Sequence, residues 1–322
     1  MKVKWNGAYS SQRNLNGGGP QGGLMGILEY LSQTNNNSDF VPTDERFKFI
    51  DDLSTLEIIN LISIGLSCYN SKLQVPSDIA EHNQFIDSTK LKSQKYLESL
   101  SVWTDENLMK LNAKKSKFMT VNFTHNYQFN TRLSLNGTNL EEVNKTKLLG
   151  LVLQNDLKWH SNTESIVKSS YKRMLILKNL STFALPIEEM VEIYKIYIRS
   201  VLENCAVRWH SSLTKGEELE LERVQRCALR IILGDDYVDY EHALQQSDLD
   251  TLNDRRTQLC RNFAERCIKH GKHSDIFPLR EDNPETRKGG KYLVTMASTE
   301  RLKRFAVPFM QRLLNEKKKI SS

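Results

Sequence analysis

The chain has 322 residues, 39% of them hydrophobic and 26% charged, with a formal net charge of +6. That length can bury a sizeable core, and two subdomains are the natural expectation. No apolar run reaches the ~18 residues a membrane span requires, since the best, Leu56 to Leu66, is broken by Glu57, Asn60 and Ser63.

In chain order, Met1 to Gly7 reads as an alternating strand ending in an Asn6-Gly7 turn, not as a signal peptide. A soluble, intracellular protein is therefore expected, and Asn122-Phe123-Thr124 carries no weight as a glycosylation site. The glycine-rich turn Gly18-Gly19-Pro20-Gln21-Gly22 leads into Leu24 to Leu31, an apolar stretch of helical length. Glycine where a backbone must approach a ligand closely, followed by a helix start, suits a phosphate or a base. Phe47 to Ile50 then ends in Asp51-Asp52 and resumes as Leu53 to Ile59, which predicts a β-hairpin with both acids at its tip. Two carboxylates on a rigid turn offer the hard oxygen ligands that Mg²⁺ takes. A solvent-facing turn is the alternative, because turns favour Asp for local hydrogen bonding.

The second half is more regular. Pro186, with Glu188 and Glu189 behind it, marks a helix start, and Met190, Val191, Tyr194, Tyr197, Ile198 and Val201 recur at helical spacing as its core face. A second helix is predicted from about Glu217 to Leu233, stopped by Gly234, with Leu221, Val224, Ala228, Ile231 and Ile232 buried. Arg223, Arg226 and Arg230 share another stripe, where they could follow backbone phosphates. A solvated face balanced by Glu217, Glu218, Glu220 and Glu222 is the alternative reading. A third helix is predicted over Asn253 to His270. From Glu285 to Ser322 ten Lys or Arg face three Glu, and that basic tail suits a polyanion. Within it, Thr299 to Lys303 and Met310 to Leu314 suggest a short amphipathic segment, and Lys317-Lys318-Lys319 reads as a disordered end or a weak nuclear-import signal.

Five cysteines, Cys68, Cys205, Cys227, Cys260 and Cys267, are odd in number and contain no Cys-x-x-Cys, so structural disulfides are not expected. Cys260, Cys267, His270 and His273 bring potential zinc ligands close together. On one helix they point in diverging directions, which favours Cys260 and Cys267 as small core residues.

The order of motifs from Gly18 onward resembles a reverse transcriptase of the non-LTR, LINE-like retrotransposon class, over nearly the whole chain. The resemblance implies that Gly18, Pro20, Gln21 and Gly22 contact template and incoming nucleotide. It makes Asp51 a catalytic Mg²⁺ ligand, with Asp52 its less indispensable neighbour. Leu111 to Lys117 is similar to the family's Asn-x-x-Lys-Ser/Thr element, which places Lys115 near departing pyrophosphate; a solvated loop lysine is the alternative. Lys147 to Leu153 and Asp156-Leu157-Lys158-Trp159 look like the strand and turn leading from palm to thumb, which hold the primer end. Trp209 to Thr214 and Leu221 to Arg226 also match the family's C-terminal region, without an evident chemistry.

The expected fold is accordingly α+β: a truncated antiparallel palm sheet with packed helices over 1–158, an α-helical thumb-like bundle over 159–271, and a basic, mostly irregular tail over 272–322. The implied partners are an RNA template and a DNA primer, with no membrane and no small-molecule cofactor. Nuclear rather than cytoplasmic location follows from the family alone. Two-metal phosphoryl transfer needs a further carboxylate, which the family supplies from a strand ahead of the glycine turn. These residues do not include it, nor the fingers, and Asp44 lacks the aromatic partner of that motif, so a polymerase fragment inactive alone is expected. A non-enzymatic nucleic-acid-binding remnant is the alternative. Leu148 to Leu180 also resembles an N-terminal segment of AlkB-type dioxygenases, but His273-Ser274-Asp275 has no later histidine to complete an Fe(II) site, and no methyltransferase-like glycine loop follows a strand.

Overall fold

The computed structural model describes residues 79–121, 132–183, 185–271, 274–279 and 291–316, preceded by the backbone of four short strands; over 79–92 it likewise describes backbone alone. Contacts divide the chain into Met1–Val143 and Asn144–Ser322. Helices dominate and the sheets are small, so the fold is α+β.

In the first unit, β1 (Lys4–Trp5) pairs antiparallel with β2 (Ala8–Tyr9), Trp5 opposite Ala8. That register leaves Asn6-Gly7 as the two-residue connection, the dipeptide that favours such hairpins. β3 (Arg46–Phe49) pairs antiparallel with β4 (Asp52–Thr55), Phe49 opposite Asp52. The hairpin around the acids is thus shifted by one residue from the expected one: its two-residue connection is Ile50-Asp51, and Asp52 opens β4 opposite Phe49 instead of sharing the tip. Asp51 and the turn residues Gly18, Pro20, Gln21 and Gly22 lie outside the described residues.

After α1 (Ile79–Glu106) come β5 (Lys117–Phe118), β6 (Ser134–Leu135), β7 (Thr138–Asn139) and β8 (Glu141–Glu142). β6 and β7 form a hairpin around Asn136-Gly137, whose φ values of 50° and 73° are those a type I′ turn demands. The Gln94 side chain donates to Ser134 O at 3.0 Å and accepts from Ser134 N at 3.0 Å. An amide on α1 thereby satisfies a strand edge as a neighbouring strand would.

The second unit begins with the antiparallel hairpin of β9 (Lys145–Leu148) and β10 (Leu151–Gln154), turned by Leu149-Gly150 at φ 47° and 88°. It continues through α2 (His160–Ser181), α3 (Ile187–Ile193), a π-helix (Tyr194–Arg199), α4 (Ser200–Leu202), α5 (Ala206–Trp209), α6 (Lys215–Leu233), α7 (Tyr240–Gln246) and α8 (Leu252–His270). The hairpin expected at the end of the first portion therefore belongs with these helices. It is pinned to α2 by hydrogen bonds from Val152 N to Asn162 Oδ1 and from Ser161 N to Gln154 Oε1.

α6 starts where its sequence says it should. Glu217 N donates to Thr214 Oγ1 while Thr214 N donates to Glu217 Oε2, a reciprocal capping box, and Gly234 at φ 53° ends the helix. Leu221, Val224, Ala228 and Ile232 are buried as expected, joined by Gln225, Leu229 and Leu233, while Ile231 is only half-buried. Each buried leucine, isoleucine or valine contributes about 1.5–3 kcal/mol, so this stripe anchors the bundle. Glu217, which the alternative reading places on a solvated face, is buried because capping ties it down.

Met190, Val191, Tyr194 and Ile198 are core residues of α3 and the π-helix, but Tyr197 is 45% exposed and Val201 half-buried. The cause is the π-helix, whose i→i+5 bonding shifts the phase of the inward face. Core positions then run 190, 194, 198, 202 at intervals of four, and Tyr197 turns outward, where Arg173 donates to its carbonyl at 2.7 Å.

α8 is capped by Thr251 and closed by Gly271 at φ 66°. Its Cys260, Ala264 and Cys267 pack with Phe277, Met310 and Leu313 into a second core. The last two come from α10 (Ala306–Asn315), which follows α9 (Glu300–Lys303). This stretch of the tail is helical where a short amphipathic segment is expected, and its apolar face finds α8. Gln311 and Asn315 amides tie down Ile276, Thr295 and Tyr292 backbone groups, and Arg261 donates to Leu313 O.

Candidate nucleic-acid interface

The three arginines expected to track phosphates do share one stripe of α6, but their surroundings separate them. Arg226 is half-buried, its guanidinium 4.8 Å from the Tyr240 ring centroid, and Arg230 stands 5.2 Å from that of Tyr237. Both tyrosines follow the Gly234 stop, where the chain doubles back over the end of α6. Such cation–π contacts hold a guanidinium by one face. Arg223 is exposed, with no ring above it among the described residues.

Arg223 instead borders an open groove between α2 and α6, lined by Glu164, Val167, Lys168, Tyr171, Glu220 and Arg223. Tyr171 is 42% exposed, and its hydroxyl lies 3.9 Å from Cys227 Sγ. Lys168 and Lys172 are exposed on the same helix. The groove itself balances two cations with two carboxylates, and Lys172, next to Tyr171, is a further exposed cation on α2.

Beside the stripe lies a buried polar network that explains why Leu221 to Arg226 carries so many polar residues. Tyr194 donates to Gln225 Oε1 at 2.5 Å, and Gln225 Nε2 donates to Tyr240 Oη at 3.0 Å and to Asp250 O at 2.9 Å. Tyr240 donates to Glu222 Oε2 at 2.5 Å, and Glu222 Oε1 accepts from Asn253 N. Burial, then the Glu222 hydrogen bond, raises the Tyr240 hydroxyl above the usual phenol range, and burial chiefly does the same for Tyr194. Both remain neutral donors, so the network positions α7 and α8 against α6.

The Trp209 to Thr214 stretch is structural in the same way. Trp209 is wholly buried and donates to Asn204 O. Arg256, fully buried on α8, donates through Nε to His210 Nδ1 at 3.3 Å, so His210 carries its proton on Nε2, 3.0 Å from Thr257 Oγ1. Burial, then the charge of Arg256, lowers the His210 pKa from 6.5 to about 4. Sequence reasoning missed this pair; the only signal was a lone histidine beside a tryptophan and an arginine on an otherwise apolar helix face.

The other expected site residues lie on other elements. Lys115 is exposed in a turn held by Asn112, whose side chain and carbonyl accept from Lys115 N. On β9, Lys145 and Lys147 are exposed at alternate positions, and Leu149 at the hairpin tip is 52% exposed. Cys260 and Cys267 are core residues, and burial pushes the Cys260 thiol up to about 12, so it stays a thiol. His270 is exposed, and His273 lies outside the described residues. Among the described residues no group of three or more His, Cys, Asp or Glu is placed to hold a metal ion. No described helix is long and apolar enough to cross a membrane.

No protein-family model matches the chain, and no curated protein or solved structure matches it either.

Proposed function

We propose that the chain is a palm-and-thumb portion of a LINE-like reverse transcriptase, an RNA-directed DNA polymerase relative that binds RNA template and DNA primer but does not polymerise alone. The observation that carries it is the pairing of β3 with β4: with Phe49 opposite Asp52, only Ile50 and Asp51 separate the strands. A metal-binding hairpin of the proposed kind would carry Asp51 in such a two-residue connection. The β9–β10 hairpin leading directly into α2 adds support, since it follows the order that the motif resemblance calls for.

Asp51 and Asp52 are hard oxygen donors of the kind that fit Mg²⁺. Bound there, the ion would draw the primer hydroxyl and nucleotide phosphate together. Lys115 would neutralise departing pyrophosphate, Gly18 to Gly22 would approach the nucleotide, and the β9 lysines would hold the primer backbone.

Primer extension on an RNA template with Mg²⁺ tests the reading. No extension is expected, together with salt-dependent binding of an RNA–DNA hybrid. Robust synthesis abolished by Asp51→Ala would overturn the inactive half. A purely non-enzymatic binding remnant is favoured by the exposure of Arg223 and Lys168 on the helical unit: binding would then survive Asp51→Ala and lose part of its salt slope in Arg223→Glu. If no nucleic acid binds at low salt, both readings fall.

A further inference from the structure

α2 and α6 run side by side in the same direction, since His160 Nδ1 lies 3.7 Å from Glu217 Oε1 and, further along both, Tyr171 meets Cys227. The groove between them is therefore graded. Near the helix starts its walls carry Glu164 and Glu220; one turn on come Lys168 and Arg223, then Tyr171. Half-buried Val167 contributes apolar surface beside the ring, and Leu175, one turn beyond Tyr171, is 63% exposed. A phosphate is repelled at the acidic end and attracted at the next turn. Past that point α2 offers the Tyr171 ring and exposed Leu175, with Lys172 exposed beside the ring.

A base-paired duplex makes poor use of such a surface. Its bases are stacked inside and its outer face is a run of phosphates, which the paired glutamates oppose. The stripe that would have followed those phosphates is reduced as well, because Tyr240 and Tyr237 cover one face each of Arg226 and Arg230. An unpaired nucleotide differs: its base offers a free π-face to an aromatic ring while its phosphate reaches a neighbouring cation. Tyr171 is suited to this role because its hydroxyl is held at Cys227 Sγ while 42% of the residue stays accessible.

We infer that the α2–α6 groove binds a short stretch of single-stranded nucleic acid, with a base stacked on Tyr171 and the adjoining phosphate between Lys168 and Arg223. This rests on the nucleic-acid-binding reading and narrows it to unpaired strands at this site. The acidic end limits the footprint to one or two nucleotides, about the span of Lys168 to Leu175.

Fluorescence anisotropy on the full chain at low salt tests it, using a labelled oligo-uridylate, a blunt DNA duplex and an RNA–DNA hybrid of equal length. Tyr171→Ala is expected to weaken oligo-uridylate binding about tenfold, as loss of one stacked base does, and to leave both duplexes within about twofold. Tyr171→Phe keeps the ring and should bind like the parent chain, which separates stacking from the hydroxyl contact; circular dichroism confirms that each variant folds. Equal losses on single and double strands, or no loss on oligo-uridylate, would overturn the inference. Wild-type binding of duplex but not of oligo-uridylate overturns it alone, whereas no binding of any of the three removes the underlying reading too.

Discussion

Replacing Gln225 with leucine removes the hub of the network joining α6, α7, α8 and the π-helix. Gln225 and Tyr194 are both fully buried, so no water can replace the lost partner of the Tyr194 hydroxyl. An orphaned buried donor costs about 1–3 kcal/mol, and the Asp250 carbonyl adds about 1 kcal/mol, while Tyr240 keeps its bond to Glu222. Gln225→Leu should therefore destabilise the chain by about 3 kcal/mol, read as a lower urea midpoint at constant slope by circular dichroism. Tyr194→Phe removes the other member of the pair. If the hydroxyl's isolation is the cause, the double variant costs clearly less than the two single effects together. A Gln225→Leu protein within about 0.5 kcal/mol of the parent, or strictly additive single effects, would refute the network as a stabilising unit.

His210 gives a pH dependence of definite sign. Its folded pKa is lowered from 6.5 to about 4, so between those values the unfolded chain binds the extra proton, and stability falls as pH drops from 6.5 towards 4. The loss is about 3 kcal/mol in all, and His210→Gln should flatten that part of a stability–pH profile; an unchanged slope would contradict the buried neutral imidazole. At the β9–β10 turn, Gly150 adopts φ 88°, and an added Cβ would meet Asn204 Nδ2 at 3.2 Å. Gly150→Ala should lower stability by about 1–2 kcal/mol, seen as a reduced melting temperature, whereas a neutral effect would mean the turn readily adopts another shape. Among the described cysteines, Cys205 is exposed while Cys260 and Cys267 are buried. Alkylation followed by mass spectrometry should label Cys205 ahead of Cys260 and Cys267, which react only on unfolding; early labelling of Cys260 would show that α10 does not cover it.

Much of the local architecture is legible in residue order because its causes are local. Asn6-Gly7 marks its hairpin by the φ values that dipeptide tolerates, and Thr214-x-x-Glu217 and Gly234 bracket α6 through bonds spanning a few residues. Cys260 and Cys267 read as core from spacing alone. The candidate site was less legible. Three arginines at intervals of three and four define a stripe, but only the return of Tyr237 and Tyr240 over the end of α6 separates Arg223 from its neighbours. No pattern within one helix announces a ring arriving from the next.

The same distinction holds for the rest of the chain. Periodicity, capping residues and glycine stops are encoded in neighbours along the backbone, so helix limits follow closely from residue order, while the exact register of the β3–β4 hairpin does not. Which polar side chains are buried depends on what meets them across the core: Arg256 against His210, Gln225 between two tyrosines, Tyr197 turned outward by the π-helix, and α10 folded onto α8. Those outcomes balance desolvation against partners distant in sequence, and only packing of the whole unit brings such partners within bonding distance.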